Sequence, residues 1–265
     1  AISAQFTEGL ISIDSYTAAC LEYLQPFTTK FAPKGLARAD DLLRVKLDKE
    51  LPLALYQHWS LFEAMKVNEY FACKTKNWTQ KGEGAMKHLL ASIGLTLHEC
   101  KQKFSAIPTE RRAEVISLLE KEMSCKFASF FVHLGYTERV SACDVSRALS
   151  TWLGGPVSTT PADAAASQSG VKKMTLADRF EECRALLSGF VTSGTNMAVL
   201  NKMIIAAKVE MEATWNLVST VINQSEVLPN GHFYLYSTNR PRDSFLHGRH
   251  ALFTFTRFLS AAFSA

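Results

Sequence analysis

The sequence has few of the features that mark membrane-spanning or disulfide-stabilised proteins. No uninterrupted apolar run approaches the roughly 20 residues that a helix needs to cross a bilayer, so we expect no membrane contact. The six cysteines form no C-x-x-C pair and show no regular spacing, which favours reduced thiols in a cytosolic or nuclear compartment. The composition, 47% hydrophobic and 20% charged, is that of a globular protein with enough apolar side chains for one large domain or two ordinary ones.

Motifs for catalysis and cofactor binding are also missing. There is no G-x-S-x-G nucleophile motif and no glycine-rich phosphate loop, because Gly82 and Gly84 have no strand before them and no third glycine after them. His247 and His250 form an isolated i, i+3 pair, for which exposure to solvent or phosphate is a better interpretation than metal binding. We therefore expect no catalytic residue, no cofactor and no metal site.

Basic residues exceed acidic ones only slightly. The formal net charge is +4, which is too small to act alone as a footprint for nucleic acid or an acidic membrane. Lysines nevertheless outnumber acidic residues from Lys66 to Lys103, and arginines do so from His232 to the end of the sequence. These two stretches predict two mildly basic faces.

Most of the sequence shows the apolar spacing of three to four residues that is typical of amphipathic helices. The predicted helices cover Ser15–Lys30, Leu53–Val67, Lys81–Ile93, Thr109 to about Lys126, Met197–Ile222 and Arg249–Phe263. Three helix starts carry a capping box, in which a hydroxyl and an acidic residue three positions later bond each other's backbone N–H. These pairs are Thr96 with Glu99, Ser141 with Asp144, and Thr175 with Asp178. Gly94 is expected to end the helix Lys81–Ile93.

Segments with strand character are short and few. Gly231–Ser237 is an aromatic run bounded by turn residues, and Phe130–Leu134 is a second candidate. Two such strands are too few for an independently stable sheet, so we expect strand partners to be missing and the sequence to be a fragment or a truncated variant. Residues 154–170 contain two prolines and three glycines and are predicted to form a disordered connection.

Eight short segments carry a recognisable pattern in a fixed order along the chain. They are Leu51–Leu61, Leu89–Leu95, Lys101–Phe104, Phe131–Tyr136, Ser141–Val145, Ala207-Lys208, Ala213-Thr214 and Phe233–Tyr236. Together they resemble the cell division control protein 45 family. The similarity covers most of residues 1–265, and it is weakest before Leu51 and in the linker.

The resemblance implies a mostly α fold with a small β component (α+β), related to the RecJ-like phosphoesterases. In this arrangement a helical insertion domain is followed by an incomplete DHHA1-like domain, and the N-terminal DHH domain is absent. Residues 1–50 are then the end of the DHH-side region and a connecting segment, and 51–153 the helical domain. Residues 154–173 are a disordered linker, and 174–265 are a long helix with the incomplete DHHA1-like domain.

The role that the resemblance implies is architectural. Eukaryotic members are regarded as having lost nuclease activity, and the metal-binding Asp and His motifs belong to the absent DHH domain. The expected protein is a nuclear, non-catalytic scaffold that joins the Mcm helicase ring subunits and the GINS complex and can contact single-stranded DNA. The alternatives are a single-stranded DNA binding module, a RecJ-like phosphoesterase whose catalytic domain is missing from this chain, and an unstructured fragment encoded by a truncated gene.

Candidate contacts with partners or DNA are charged residues around predicted turns. They are Lys101, Lys103, Arg111 and Arg112, around the turn between two predicted helices, and Arg240 and Arg242, after the aromatic run. An ordinary solvated turn is the competing interpretation for each. Trp59, Phe104 and Tyr136 are expected to be core residues instead, as are the aromatic side chains on one face of the strand at 231–237.

Overall fold

The computed structural model describes residues 43–49, 51, 53–123, 128–134, 140–154, 174–192, 196–238, 240, 244–246 and 248–264. Its helices are α1 (Leu61–Val67), α2 (Glu69–Thr75), α3 (Gln80–Ser92), α4 (Leu97–Lys101), α5 (Thr109–Met123), α6 (Ala142–Gly154), α7 (Leu176–Thr192), α8 (Met197–Asn223) and α9 (Arg249–Ser264). Its strands are β1 (Leu43–Lys49), β2 (Ala128–Leu134), β3 (Val140–Ser141), β4 (Leu228–Asn230) and β5 (Phe233–Leu235). Short 3-10 helices cover Tyr56–His58, Phe104–Ala106 and residues 244–246. The expected fold class, mostly α with a small β component, is confirmed.

Strand β2 is the centre of a three-stranded antiparallel sheet with the order β1-β2-β3. Its register with β1 places Leu43 opposite Leu134 and Lys49 opposite Ala128. The predicted strand Phe130–Leu134 is therefore confirmed, but the expectation that it lacks partners is wrong. Strand β1 is absent from the predicted elements, although its alternation of apolar and charged residues is a strand signal.

Strands β4 and β5 form a separate antiparallel hairpin. Asn230 pairs with Phe233 across a turn in which Gly231 has a φ of 61°, a left-handed conformation that glycine adopts without steric penalty. The predicted strand is confirmed, but the expected core packing of its aromatic side chains holds only for the partly buried Tyr236, because Phe233 is 73% exposed and Tyr234 is 62% exposed. Within the described residues the sheet of this hairpin has only two strands.

The segment before α1 is not the helix that its periodicity predicts. Leu55 has a φ of 60°, which is incompatible with a continuous right-handed helix, and a single 3-10 turn follows it. Helix α1 begins only after Ser60, whose hydroxyl accepts a hydrogen bond from the Glu63 N–H at 3.2 Å. The predicted helix Leu53–Val67 is therefore correct only in its second half, because the Ser60 cap fixes the start of α1.

Local sequence signals set several of the predicted helix starts and stops, and the structure confirms most of these signals. At Thr96 the capping box is complete, and the same reciprocal bonds join Thr175 and Asp178. Gly94 has a φ of 76° just after α3, as expected of a glycine that ends a helix. The third box is half formed, because the Asp144 N–H donates to the Ser141 hydroxyl at 3.5 Å while the Asp144 carboxylate bonds elsewhere.

Three clusters of buried side chains hold the helices together. The first is formed by residues between Leu51 and Met123 in the sequence and includes Phe71 and Phe104. The second brings the segment around Trp59 together with α6, α7 and α8, and the third joins α2, α8 and α9 around Phe255. The second and third clusters each contain residues from both sides of the predicted linker. The predicted division of the chain into four regions stays a prediction.

Helix α8 carries the predicted apolar stripe, because its buried residues recur at steps of three and four. Trp59 and Phe104 are buried, as predicted. Tyr136, the predicted helix Ser15–Lys30 and linker residues 155–173 lie outside the described residues. Among the helices that the structure describes, none combines the length and apolar character needed to span a membrane.

Candidate interaction surface

The turn between α4 and α5 contains the predicted contacts Lys101 and Lys103. Lys101 ends α4, Lys103 lies two residues later, and both are exposed. The backbone of Lys103 forms an antiparallel bridge with Ser60, and the Phe104 N–H donates to the Trp59 carbonyl at 3.1 Å. The two lysines are thus presented on a turn whose backbone is fixed to the segment before α1.

The predicted contacts Arg111 and Arg112 lie in the first turn of α5 and are half-buried. Arg111 donates to the Gly94 carbonyl at 2.8 Å and pairs with Glu114, so its guanidinium satisfies a carbonyl at the end of α3. Arg112 donates to the Thr109 hydroxyl at 2.9 Å. Both guanidinium groups therefore make bonds within the chain, whereas neither Lys101 nor Lys103 forms an ion pair with a carboxylate of the described residues.

The predicted contact Arg240 forms an ion pair with Glu226, and Arg242 lies outside the described residues. Tyr234 stacks on Phe263 with ring centroids 4.9 Å apart. Tyr236 packs against a buried phenylalanine of α9. The charge of Arg240 is thus compensated within the chain, and one of the two tyrosines contributes to the core.

Lys208 of α8 joins Lys103 beside Trp59. Its ammonium donates to the His58 carbonyl and lies 5.5 Å from the centroid of the Trp59 ring. Burial lowers the pKa of Lys208, the positive charge of Lys103 lowers it further, and the negative charge of Glu212 acts in the opposite direction. We call the site formed by Trp59, Lys103 and Lys208 the Trp59 corner.

Below the corner, Asp144 connects α6 to the backbone of the preceding segment. It is 4% exposed, and its Oδ1 accepts a hydrogen bond from the Leu55 N–H at 2.9 Å. Burial raises the pKa of Asp144 to about 6. Burial also lowers the pKa of His58, followed by the charges of Lys208 and Lys103. His58 Nε2 lies 3.7 Å from Asp144 Oδ2, and burial disfavours the charged form of both side chains.

The seam between α1 and α8 continues from the corner with charges of both signs. Lys66 lies over the Trp215 ring, 4.4 Å from its centroid. Burial raises the pKa of Glu212, the charge of Glu63 raises it further, and the charges of Lys66 and Lys208 act in the opposite direction. The surface beside the corner is therefore a mosaic of charges rather than a continuous basic stripe.

A second buried polar cluster connects α6, α8 and α9 around Glu210. Its Oε1 lies 2.9 Å from His250 Nδ1, 3.3 Å from the Thr151 hydroxyl and 3.9 Å from Arg147. Burial lowers the pKa of Arg147, while the charge of Glu210 raises it. The cluster has the geometry of a structural connection between helices. Throughout the described ranges, no group of three or more His, Cys, Asp or Glu side chains could hold a metal ion.

The residues that sequence reasoning missed are those whose partners are distant in the chain. Lys208 falls within the family-like pair at 207–208, but nothing in the sequence places it beside Lys103. Asp144 is recognised as the acidic member of a capping box, yet its carboxylate bonds Leu55 instead. Glu210 carries a charge within the apolar stripe of α8, and that interruption is the signal that could have found it.

The fold and the surface define a mostly helical α+β protein with a small sheet and exposed charged turns. A model of the protein family described as CDC45 matches residues 1–265. The chain therefore belongs to the CDC45 family, and the resemblance found in the sequence is confirmed.

Curated relatives and a solved structure agree with this assignment. The chain is 31% identical to the cell division control protein 45 homolog of Homo sapiens over 123 residues, which is 44% of this chain and 22% of that protein. It is 30% identical to the homolog of Schizosaccharomyces pombe over 115 residues, 41% of this chain and 18% of that protein. The crystal structure of CDC45 from Entamoeba histolytica superposes with a TM-score of 0.60 at 14% identity, covering 98% of this chain and 50% of that chain. This last similarity shows the fold alone, and the chain spans about half the length of that relative.

Proposed function

We propose that this chain is a DNA replication factor that acts as a non-catalytic scaffold in the nucleus, joining the Mcm helicase ring subunits and the GINS complex. The observation that carries the proposal is the match of the CDC45 family over all 265 residues. The curated relatives are named as cell division control proteins, in agreement with a role in replication and the cell cycle.

The described surface supports a scaffold role in physical terms. A scaffold needs a rigid surface with charges that complement its partners, more than it needs a reactive group. The turn with Lys101 and Lys103 meets this requirement, because backbone bonds to Trp59 and Ser60 fix it while the ammonium groups remain exposed. The buried aromatic residues beneath this turn limit its movement.

Co-expression with the Mcm and GINS subunits, followed by size-exclusion chromatography, tests the proposal. Co-elution of the chain at a fixed stoichiometry supports it. A well-folded chain that elutes apart from both complexes contradicts it.

A matched pair of double variants tests the contribution of the turn. Lys101→Glu with Lys103→Glu reverses the charge there and should abolish co-elution. Lys81→Glu with Lys121→Glu reverses two exposed lysines on α3 and α5 and should leave co-elution unchanged. Equal loss in both variants would indicate a general effect of net charge rather than a contact at the turn.

A further inference from the structure

The hairpin of β4 and β5 has one open edge. Its register places Asn230 opposite Phe233, and Pro229 opposite Tyr234 one position further from the two-residue turn. The pair next to such a turn exchanges both ladder hydrogen bonds, so the following pair directs its backbone groups away from the hairpin. Tyr234 therefore carries the outward backbone groups of β5, and Pro229 carries those of β4.

The two outer edges differ in what they offer to another strand. Proline has no N–H, so the outer edge of β4 lacks a donor at Pro229. The outer edge of β5 presents both the N–H and the C=O of Tyr234, and neither group bonds to another described residue. A further strand can thus pair with this hairpin alongside β5 but not alongside β4.

The open edge borders an exposed apolar face. Side chains alternate along a strand, and Tyr234 faces α9, where it stacks on Phe263. Phe233 and Leu235 therefore point to the opposite face, where they are 73% and 51% exposed. Leu228, paired with Leu235 across the hairpin, is 64% exposed on the same face. Apolar side chains and unpaired backbone groups thus occur together at β5.

We propose that β5 pairs antiparallel with β5 of a second copy of this chain, with Tyr234 opposite Tyr234 of that copy. The two outward backbones then exchange both N–H···O bonds. The same register places Phe233 of each copy opposite Leu235 of the other, so each exposed apolar side chain gains a cross-strand partner. The product is a four-stranded sheet with the order β4-β5-β5-β4 and a twofold axis.

A second copy fits this edge better than an unfolded segment of another protein. The edge is three residues long, so it offers few bonds to offset the conformational entropy that such a segment would lose on binding. In a second copy, β5 is already ordered by its own hairpin and by the stack on Phe263. Pro229 lies at both outer edges of the four-stranded sheet, which favours a closed dimer over a fibre.

The inference does not depend on the proposed contacts with Mcm and GINS subunits. Sedimentation equilibrium of the full chain, over a concentration series that extends to about 0.5 mM, tests it. Because the contact is small, we expect a weak, concentration-dependent equilibrium between monomer and dimer, without larger species. A monomer throughout the series would overturn the inference.

Two substitutions of Tyr234 separate its backbone N–H from its side chain. Tyr234→Pro removes the outward N–H together with the ring, whereas Tyr234→Ala removes the ring alone. The dimer of Tyr234→Pro should be at least about tenfold weaker than that of Tyr234→Ala, because each copy loses one donor. Urea unfolding establishes that both variants are folded. Equal dimer affinity of the two folded variants would overturn the pairing.

An exchange of charges tests the register without a proline. Phe233→Glu and Leu235→Lys change exposed side chains, and each should weaken the dimer by placing a charge beside an apolar partner. The double variant brings each new carboxylate opposite a new ammonium of the other copy and should restore most of the lost affinity. A double variant as weak as the single variants would contradict the proposed register.

The co-elution assay distinguishes a second copy from a strand of another protein. If Tyr234→Pro abolishes the dimer but still co-elutes with Mcm and GINS subunits like the wild type, the edge serves self-association, as proposed. If the wild type is monomeric and Tyr234→Pro loses co-elution while Tyr234→Ala keeps it, the edge pairs with a strand of those partners. That result would overturn the inference and leave the scaffold proposal standing.

Discussion

Replacing Asp144 with asparagine separates the effect of its buried charge from that of its hydrogen bond. Asparagine keeps an oxygen that can accept the Leu55 N–H bond but carries no charge. Because burial raises the pKa of Asp144 from 3.8 to about 6, the folded protein binds this proton more tightly than the unfolded chain does. The free energy of unfolding therefore falls as the pH rises from about 4 to 6, and this contribution is constant above that range.

The magnitude follows from the two pKa values. One pKa unit corresponds to about 1.4 kcal/mol, so the charged form of Asp144 lowers stability by about 3 kcal/mol at pH 7.5. Asp144→Asn should thus match the wild type near pH 4 and exceed it by up to about 3 kcal/mol at pH 7.5. Asp144→Ala leaves the Leu55 N–H without its acceptor and should be about 1–3 kcal/mol less stable than Asp144→Asn at every pH.

Urea unfolding, followed by tryptophan fluorescence and far-UV circular dichroism between pH 4 and 7.5, measures these differences. Coincident transitions by the two probes establish that unfolding is two-state. His58→Gln in both backgrounds removes the titration of the neighbouring imidazole. A difference between wild type and Asp144→Asn that does not change with pH would refute the reasoning from burial.

Two further predictions concern the helices around the turn. Gly82→Ala should prevent stable folding, because an added Cβ would lie 2.0 Å from the Lys76 carbonyl oxygen. Gly84→Ala is the control, because a Cβ added there meets no atom within 4 Å. It should raise the free energy of unfolding by about 0.5–1 kcal/mol in the same urea assay. A soluble Gly82→Ala chain with wild-type stability would contradict the close contact. Arg111→Ala removes the donor to the Gly94 carbonyl and should lower the free energy of unfolding by about 1 kcal/mol. A loss of partner binding without any loss of stability would instead show that Arg111 is a contact residue.

The buried clusters explain how a chain with few strands forms a stable surface. Trp59 and Trp152 belong to the second cluster, which joins the segment before α1 to α6, α7 and α8. Helix α8 therefore supports both the Trp59 corner and the helices α6 and α7. The Glu210 cluster adds a polar connection from α8 to α9. A buried charge that loses a partner is costly, so these polar connections are expected to matter more for stability than the exposed ion pairs.

The elements that the sequence by itself determined are those whose physical causes are local. The Thr96 and Thr175 boxes and the Gly94 stop depend on residues within four positions, and the stripe of α8 depends only on helical periodicity. The order of short segments along the chain was enough to predict the family. The start of α1 was misplaced because the left-handed Leu55 interrupts the helical pattern before the Ser60 cap, and the Leu55 N–H donates to Asp144, which lies 89 residues away.

The tertiary structure alone decided which charges meet and which aromatic residues are exposed. Lys208 donates to a carbonyl 150 residues away, so its position beside Lys103 exists only after α8 packs on the earlier helices. Strand β1 pairs with β2 across several helices in the sequence, and Tyr234 stays 62% exposed although its ring stacks on Phe263 of α9. Such pairings have no local signature, since each side chain carries the same local preferences wherever its distant partner lies.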